Sequence, residues 1–312
     1  MSWTIQDTPS LTGKTFVVTG ANSGLGLEVS KVLMQHDAQV VMACRNPQKA
    51  EEAQRSLGPK AVVELVNLSS LASIADFTKR MNEKYSELDG LVNNAGVMMT
   101  PFGLTEDGVE LQFGTNHLGH FALTSGLLPL LNKGKATRIV SVSSVAHRRG
   151  KLNYNKMNKE RSYNKIKAYA ASKLANLVFM YELARRLEER GSLVRSTAAH
   201  PGWSATNLFE HAAFGKVLNP WMAMPADKGA LPILQATIAS DAQNGDYFGP
   251  TGFMELWGDP GKAVPTKQAR DPEIGAALWA ESERLVGRPF FQDLPESSSA
   301  ESSSESAMRA AK

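Results

Sequence analysis

The chain predicts an α/β fold, a doubly wound parallel sheet with helices on both faces. Two observations carry that expectation. Short apolar runs alternate with helical patterns along the 312 residues, the signature of repeated strand–helix–strand crossovers. Residues suited to chemistry then fall at or just after the predicted strand ends, where sheets of this kind bind ligands. Strands are expected at 15–19, 39–43, 62–66, 90–93, 137–142 and 193–199. Helices are expected at 24–36, 47–56, 70–84, 107–131, 165–190 and 227–240, with another at 271–286 after a turn-rich late strand at 245–252.

The first strand, Phe16-Val17-Val18-Thr19, is apolar in the manner of a buried parallel strand. It runs into Gly20-Ala21-Asn22-Ser23-Gly24-Leu25-Gly26, followed by a helical pattern carrying Leu27, Val29, Val32 and Leu33. Glycines there let the backbone approach a pyrophosphate, and the helix N-terminus offers unpaired N–H groups. The spacing is G-x-x-x-G-x-G rather than the general dinucleotide G-x-G-x-x-G. The second strand, 39–43, ends at Cys44-Arg45-Asn46. An acidic residue at such a place holds a ribose 2′-hydroxyl, whereas an arginine accommodates a 2′-phosphate. Arg45, with Asn46 and Asn22 as neutral neighbours, therefore reads as NADP(H) over NAD(H).

Farther along, Tyr169-Ala-Ala-Ser-Lys173 sits on the expected helix 165–190. Positions i and i+4 share a helix face, so the phenol and the ammonium address one volume. A nearby cation favours the phenolate, so a lowered Tyr169 pKa is expected. A tyrosine tuned in this way exchanges a proton with an alcohol or carbonyl. Ser143-Ser144 ends the strand before that helix, and strand alternation sends the two hydroxyls to opposite sides.

Taken together, Thr19-Gly20-(x)3-Gly24-x-Gly26, Asn93-Asn94-Ala95-Gly96, Asn116, Ser144 and Tyr169-(x)3-Lys173 resemble the short-chain dehydrogenase/reductase family. The resemblance runs from about Gly13 to Gly202 and implies a single-domain Rossmann-type fold. Ala43-Cys44-Arg45, Asn116-His117-Leu118-Gly119-His120-Phe121 and Ser141-Val142-Ser143-Ser144 narrow it to the retinol dehydrogenase-like and protochlorophyllide reductase-like branch, whose members generally prefer NADP(H).

The resemblance assigns roles by position. Ser144 holds the substrate oxygen, and Tyr169 is the acid/base. Lys173 lowers the tyrosine pKa and grips the nicotinamide ribose, while Asn116 positions a water for a proton relay. Cofactor contacts are implied for Gly20, Asn22, Ser23, Gly24, Leu25, Gly26, Arg45, Asn46, Asn67, Leu68, Asn94, Ala95, Gly96, Tyr169, Lys173, Pro201, Gly202 and Thr206. Asn67 stands where the family often has an aspartate toward the adenine amine, and it keeps an acceptor oxygen. The 24 residues between Ser144 and Tyr169 include an insert typical of the retinol dehydrogenase-like branch. Its cluster His147-Arg148-Arg149-Gly150 is expected to be a solvated loop.

From Trp203 to Met224 large apolar side chains sit among few charges and resemble the family's substrate lid. Trp203, Leu208 and Phe209 join Ser144 and Tyr169 as expected substrate contacts, with Met98, Met99, Pro101 and Phe102 on the opposite wall. Such a lining favours a lipophilic substrate. His200 is expected to be a structural hydrogen-bonder. The alternatives are reduction of a carbon–carbon double bond, as in protochlorophyllide reductase, and a non-catalytic NADP(H)-sensing protein. The first lacks its pocket cysteine here, since no cysteine follows Cys44. Proteins of the second kind usually lose a catalytic position, and all four are present.

Composition agrees. The apolar fraction of 42% and charged fraction of 21% are those of a soluble globule. A net charge of +3 is too small and too scattered to suggest nucleic acid. Cys44 is the only cysteine, which excludes an internal disulfide, suits a reducing compartment and makes cytoplasmic location the expectation. It reads as a buried small hydrophobe. The N-terminus shows no signal pattern, and no apolar run reaches the ~18 residues of a membrane span. No metal is expected. The organisation expected is an N-terminal extension at 1–12, one catalytic domain at 13–294 and a disordered Ser/Glu/Ala tail at 295–312. Family resemblance allows a homodimer or homotetramer, with helix 165–190 forming either core or subunit contact.

Overall fold

The computed structural model describes residues 3–203 and 224–294. Within them an eight-stranded sheet runs in the order β3-β2-β1-β4-β5-β6-β7-β8. Its strands are β1 Thr15–Thr19, β2 Gln39–Cys44, β3 Ala61–Leu65, β4 Gly90–Asn93, β5 Arg138–Val142, β6 Arg195–Ala199, β7 Tyr247–Pro250 and β8 Pro260–Lys262. Neighbours pair in parallel as far as β7, and β8 closes the edge antiparallel to it. The chain winds outward from β1 to β3, then returns to lay β4 against β1's other side. The crevice opened by that reversal is where such sheets take ligands.

Helices cover both faces because each strand is apolar on both sides. Val17, Val41, Leu91, Ile139 and Ala198 bury toward one face, beneath α3 Leu71–Lys84, α5 Gly119–Leu131 and α7 Lys165–Glu189. Phe16, Val18, Val40, Met42, Val140 and Ala199 bury toward the other, beneath α1 Gly24–Gln35, α2 Pro47–Leu57 and α8 Ala226–Ile238. This is the period-two alternation of a sheet buried on both faces.

The expected helix 107–131 is divided. A bridge joins Leu104 to Glu110, α4 spans only Leu111–Phe113, and a π-helical turn at Gly114–Leu118 leads into α5. The whole of α5 except Pro129 is buried. Helix α7 answers the question of its apolar face: α9, Pro272–Val286, packs along it, with Trp279, Phe290 and Phe179 stacked between them. The chain's own C-terminal segment covers that surface. His117 belongs to this packing. Its Nε2 donates to Ser282 Oγ at 2.8 Å, and burial holds its pKa down at about 3.

No described helix is long and apolar enough to cross a membrane. The expected tail at 295–312 and most of the expected lid lie outside the described residues.

Candidate active site

The end of β1 prepares a cradle. Gly20 and Gly24 take left-handed φ values of +67° and +53°. At Gly26 a Cβ would stand 2.4 Å from the Gly20 carbonyl oxygen and 2.6 Å from Asn94 Nδ2. Only a glycine lets α1 begin that close to the strand. Ser23 precedes the helix without capping it by its side chain, so the first-turn amides remain free of that contact. Asn22 and Leu25 are half-buried beside them. Below the turn lies Cys44, 1% exposed, its thiol pushed up to about 11 by burial. It is the inert small hydrophobe expected.

Arg45 emerges exposed at the end of β2 and makes no hydrogen bond or ion pair among the described residues. Its neighbour Asn46 is engaged as the N-cap of α2, accepting from Lys49 N at 2.9 Å. Asn67 is likewise committed: its Oδ1 accepts from Ser69 N and Oγ at 3.2 and 2.8 Å, and its Nδ2 donates to Glu106. The acceptor oxygen expected to meet an adenine amine is thus turned toward Ser69. Leu68 is buried against the start of α5.

One hydroxyl joins the cradle to the helical turn of Asn116 and His120. Thr19 Oγ1 accepts from the backbone N–H groups of Asn94 and Ala95, each at 2.9 Å, and meets His120 Nε2 at 2.9 Å. His120 Nδ1 lies 2.9 Å from the Asn116 carbonyl. A carbonyl only accepts, so Nδ1 carries the proton and Nε2 accepts from Thr19. Burial keeps this imidazole neutral, with a pKa down at about 4. Asn116 itself is fully buried. Its Oδ1 accepts from Val97 N at 2.7 Å, and its Nδ2 donates to Val97 O and Ser172 Oγ. The Asn116 side chain therefore braces the strand exit, and Gly96 packs between it and Lys173.

Strand β5 sorts the two serines. Ser143 Oγ turns inward and donates to the Lys173 carbonyl at 2.8 Å. Ser144 Oγ accepts from Ala146 N at 3.2 Å, and its hydroxyl stands near enough to the Tyr169 phenol to favour the phenolate. Lys173, 3% exposed, donates from Nζ to Val142 O at 3.0 Å and lies 5.9 Å from the centre of the Tyr169 ring. No carboxylate pairs with it among the described residues.

Here the expected pKa direction is reversed. Burial pushes Tyr169 up to about 12, and the Ser144 hydroxyl opposes this only in part. Burial also pulls Lys173 down to about 8. Desolvation of a fully enclosed phenolate outweighs an ammonium at this distance. Tyr169 is consequently protonated at neutral pH, ready to donate.

The insert after Ser144 is largely solvated, as expected, but it is tied down at several points. Arg148, Arg149, Lys151 and most of residues 153–164 are exposed, while His147 and Gly150 are buried. His147 Nδ1 donates to Ser144 O at 2.7 Å, and Arg148 pairs with Glu255 at 2.8 Å. Downstream, just past the short α6 Tyr154–Met157, Asn158 accepts from Glu110 N and donates to Gly108 O, while Tyr163 donates to Thr100 O and accepts from Gln112 Nε2. The insert clamps the loop carrying Met98, Met99, Pro101 and Phe102, and Phe102 meets the Tyr163 ring edge-on at 5.3 Å. Across the site Pro201 and Gly202 follow β6. His200 beneath them is the structural hydrogen-bonder expected. Trp203 is half-buried and donates from its backbone to Leu256 O, while Met224 N returns to Trp203 O at 2.7 Å. Thr206, Leu208 and Phe209 lie outside the described residues.

Residues 14–214 match the short chain dehydrogenase family. This chain belongs to it. Retinol dehydrogenase 14 of Mus musculus is 39% identical over 299 residues, covering 88% of this chain and 86% of its own. Retinol dehydrogenase 13 of Homo sapiens is 38% identical over 295 residues, covering 89% and 86%. A crystal structure of an uncharacterized protein from Mycobacterium Paratuberculosis superposes with a TM-score of 0.80 at 41% identity, covering 93% of this chain and 99% of that one.

Short-chain dehydrogenases use NAD(P)(H), and this cradle fits such a group. Gly26 lets α1 start close against the Gly20 carbonyl, α1 presents its N-terminus, and the buried Lys173 retains two N–H donors beyond its bond to Val142. Sequence reasoning missed Thr19 as the hub, His120 as its partner, and Gln112 with Tyr163 as the clamp. His120 carried a signal, since a histidine one helical turn after Asn116 shares its face. The others had none within their own segments.

Proposed function

We propose that this enzyme moves hydride between NADP(H) and a carbonyl or alcohol of a lipophilic small molecule. The observation that carries the reading is the convergence of half-buried Ser144 with the buried Tyr169 and Lys173 beside the glycine cradle. Arg45, exposed and free of partners among the described residues, favours a 2′-phosphate and so NADP(H). The relatives named for retinol, and the apolar wall of Met98, Met99 and Phe102, favour an apolar alcohol or aldehyde of retinoid character. The lone buried cysteine suits a reducing, cytoplasmic setting.

When bound, the nicotinamide supplies or accepts the hydride. In the reductive direction Ser144 and Tyr169 donate hydrogen bonds to the carbonyl oxygen. As that oxygen gains charge, Tyr169 passes its proton to it, and the reduced carbon keeps the alcohol. The tyrosinate left behind is held by Ser144 and by the Lys173 ammonium. A buried phenol at about 12 makes the acid stable before the reaction, and the bound cofactor's charge and the lysine lower the cost of its ionisation during it. Asn116 keeps the strand exit and the Lys173 end of the site in register.

The test is NADPH consumption followed in the near ultraviolet against apolar aldehydes, ketones and quinones. Turnover of one class, with Arg45→Asp shifting preference toward NADH by about tenfold or more, upholds the proposal. Turnover with NADH alone, unaltered by Arg45→Asp, overturns the cofactor assignment.

A further inference from the structure

Three loops from distant parts of the chain meet at one carboxylate, that of Glu255. From the insert after Ser144, Arg148 Nη2 reaches Glu255 Oε2 at 2.8 Å, and Arg148 Nη1 lies 3.4 Å from Met254 O. From the loop after β6, His200 Nε2 meets the same Oε2 at 3.1 Å. From the segment leading out of β8, Val264 N donates to Glu255 Oε1 at 3.0 Å.

His200 passes this connection onward. It is fully buried, and its Nδ1 accepts from Gly202 N at 3.2 Å. Nδ1 is therefore the unprotonated nitrogen, and Nε2–H donates to Glu255. The result is an unbroken chain from Arg148 through Glu255 and His200 to the amide of Gly202. Gly202 has φ +63°, and a Cβ there would lie 2.5 Å from Leu256 O, the residue after Glu255. Trp203 N donates to that residue's carbonyl, and Met224 N returns to Trp203 O. Both ends of the stretch 204–223 are thus tied to the backbone beside Glu255.

The backbone that aims the carboxylate is strained. Met254 and Glu255 stand consecutively at φ +53° and +59°, and neither is a glycine. Each such residue is unfavourable on its own and persists where its surroundings over-determine it. Three contacts on the Glu255 side chain, from Arg148, His200 and Val264, are such surroundings, and the one to His200 leads on to the turn carrying Pro201 and Gly202.

We propose that Glu255 is a positioning residue: through His200 and Arg148 it fixes the Pro201–Gly202 turn in the geometry that grips the nicotinamide half of the cofactor. This rests on the reading of the site as an NADP(H)-dependent hydride-transfer centre. Glu255 touches no reacting atom and acts through the turn. Arg148, within a cluster expected to be solvated, is the outer anchor of that device.

Glu255→Gln keeps shape and backbone and removes the charge; Arg148→Met removes the partner. NADPH binding, read by the cofactor's own fluorescence, requires no substrate. It therefore decides this proposal even if the assignment of a carbonyl substrate fails. The expected result is a weakening of about three- to tenfold in each single variant. The double variant should be no weaker than the worse single one, since both break one chain. Arg148→Lys should restore most of the binding. Glu64→Gln, which breaks the exposed pairs with Arg80 and Lys84, serves as a control for stability alone. NADPH binding unchanged in Glu255→Gln would overturn the inference. So would additive losses in the double variant, or an equal loss in Glu64→Gln. With a substrate in hand, kcat should fall along with affinity in Glu255→Gln, while the pH limb belonging to Tyr169 stays in place.

Discussion

The two sides of this site are built by different means. On the side proposed for the nucleotide, the backbone sets the contacts: Gly26 stands against the Gly20 carbonyl, and the amides of Asn94 and Ala95 close on the Thr19 hydroxyl. On the side proposed for the substrate, side chains reach between loops far apart in sequence: Tyr163 to Gln112 and Thr100, Asn158 to Gly108. Backbone contact demands particular residue types at fixed offsets. Side-chain contact demands only a partner of the right chemistry somewhere on a neighbouring loop. The first kind resists change and the second allows a shared scaffold to take different substrates.

The comparison can be broken most severely at its junction. Tyr169→Phe keeps the ring and removes the proton, so turnover should fall by about 10²–10⁴ while NADPH binding stays near the original value. Steady-state assay beside fluorescence titration checks both halves, and near-normal turnover would remove Tyr169 from its role. Gly26→Ala attacks the nucleotide side alone. Its new methyl has no room, and the overpacking should cost roughly 1–3 kcal/mol, visible as a lower Tm together with weakened NADPH binding.

Acid tests a property shared by both sides. Burial lowers the pKa of His117 to about 3, of His120 and His147 to about 4, and that of His200 as well. These rings stay neutral in the fold but take up protons near pH 6.5 when unfolded. Their contribution is therefore complete above about pH 6.5 and declines below it. The loss is about 1.4 kcal/mol per pH unit for each histidine until its folded pKa is reached. Glu110, raised by burial, has the opposite sign and offsets part of it. Tm should fall steadily between pH 7 and pH 5. A constant Tm would show that these histidines are not neutral and enclosed.

The smallest effect belongs to the clamp. Tyr163→Phe removes a hydroxyl that donates to Thr100 O and accepts from Gln112. About 1 kcal/mol of local support should go with it. Substrate KM should rise severalfold, with NADPH binding unchanged, and an equal loss of both would deny the division between the two sides.

The same division explains what could be read beforehand. Strand positions, the glycine turn and the Tyr169–Lys173 pair rest on periodicity and spacing, which are local properties, and they appear where expected. Asn67 and Asn46 carried the right chemistry, but nearby amides claimed it: Ser69 and Lys49 are only two and three residues away. The Tyr169 pKa went the other way because spacing shows that two charges are near and says nothing about the water excluded from both. The helix at 107–131 was divided by a π-turn whose extra residue has no compositional mark. Arg148 is exposed as expected, but its pairing had no local signal because Glu255 lies on another loop altogether.

Cys44 has one last consequence. It is the sole thiol in the chain, sealed beneath the glycine turn and held at about 11. The protein is therefore, as it stands, a nearly silent background for thiol-directed probes. A cysteine introduced at exposed Phe253 would be the only one to accept a spin label or fluorophore at neutral pH. Motion beside the Pro201–Gly202 turn can then be followed in solution, without first stripping the molecule of competing sulfur.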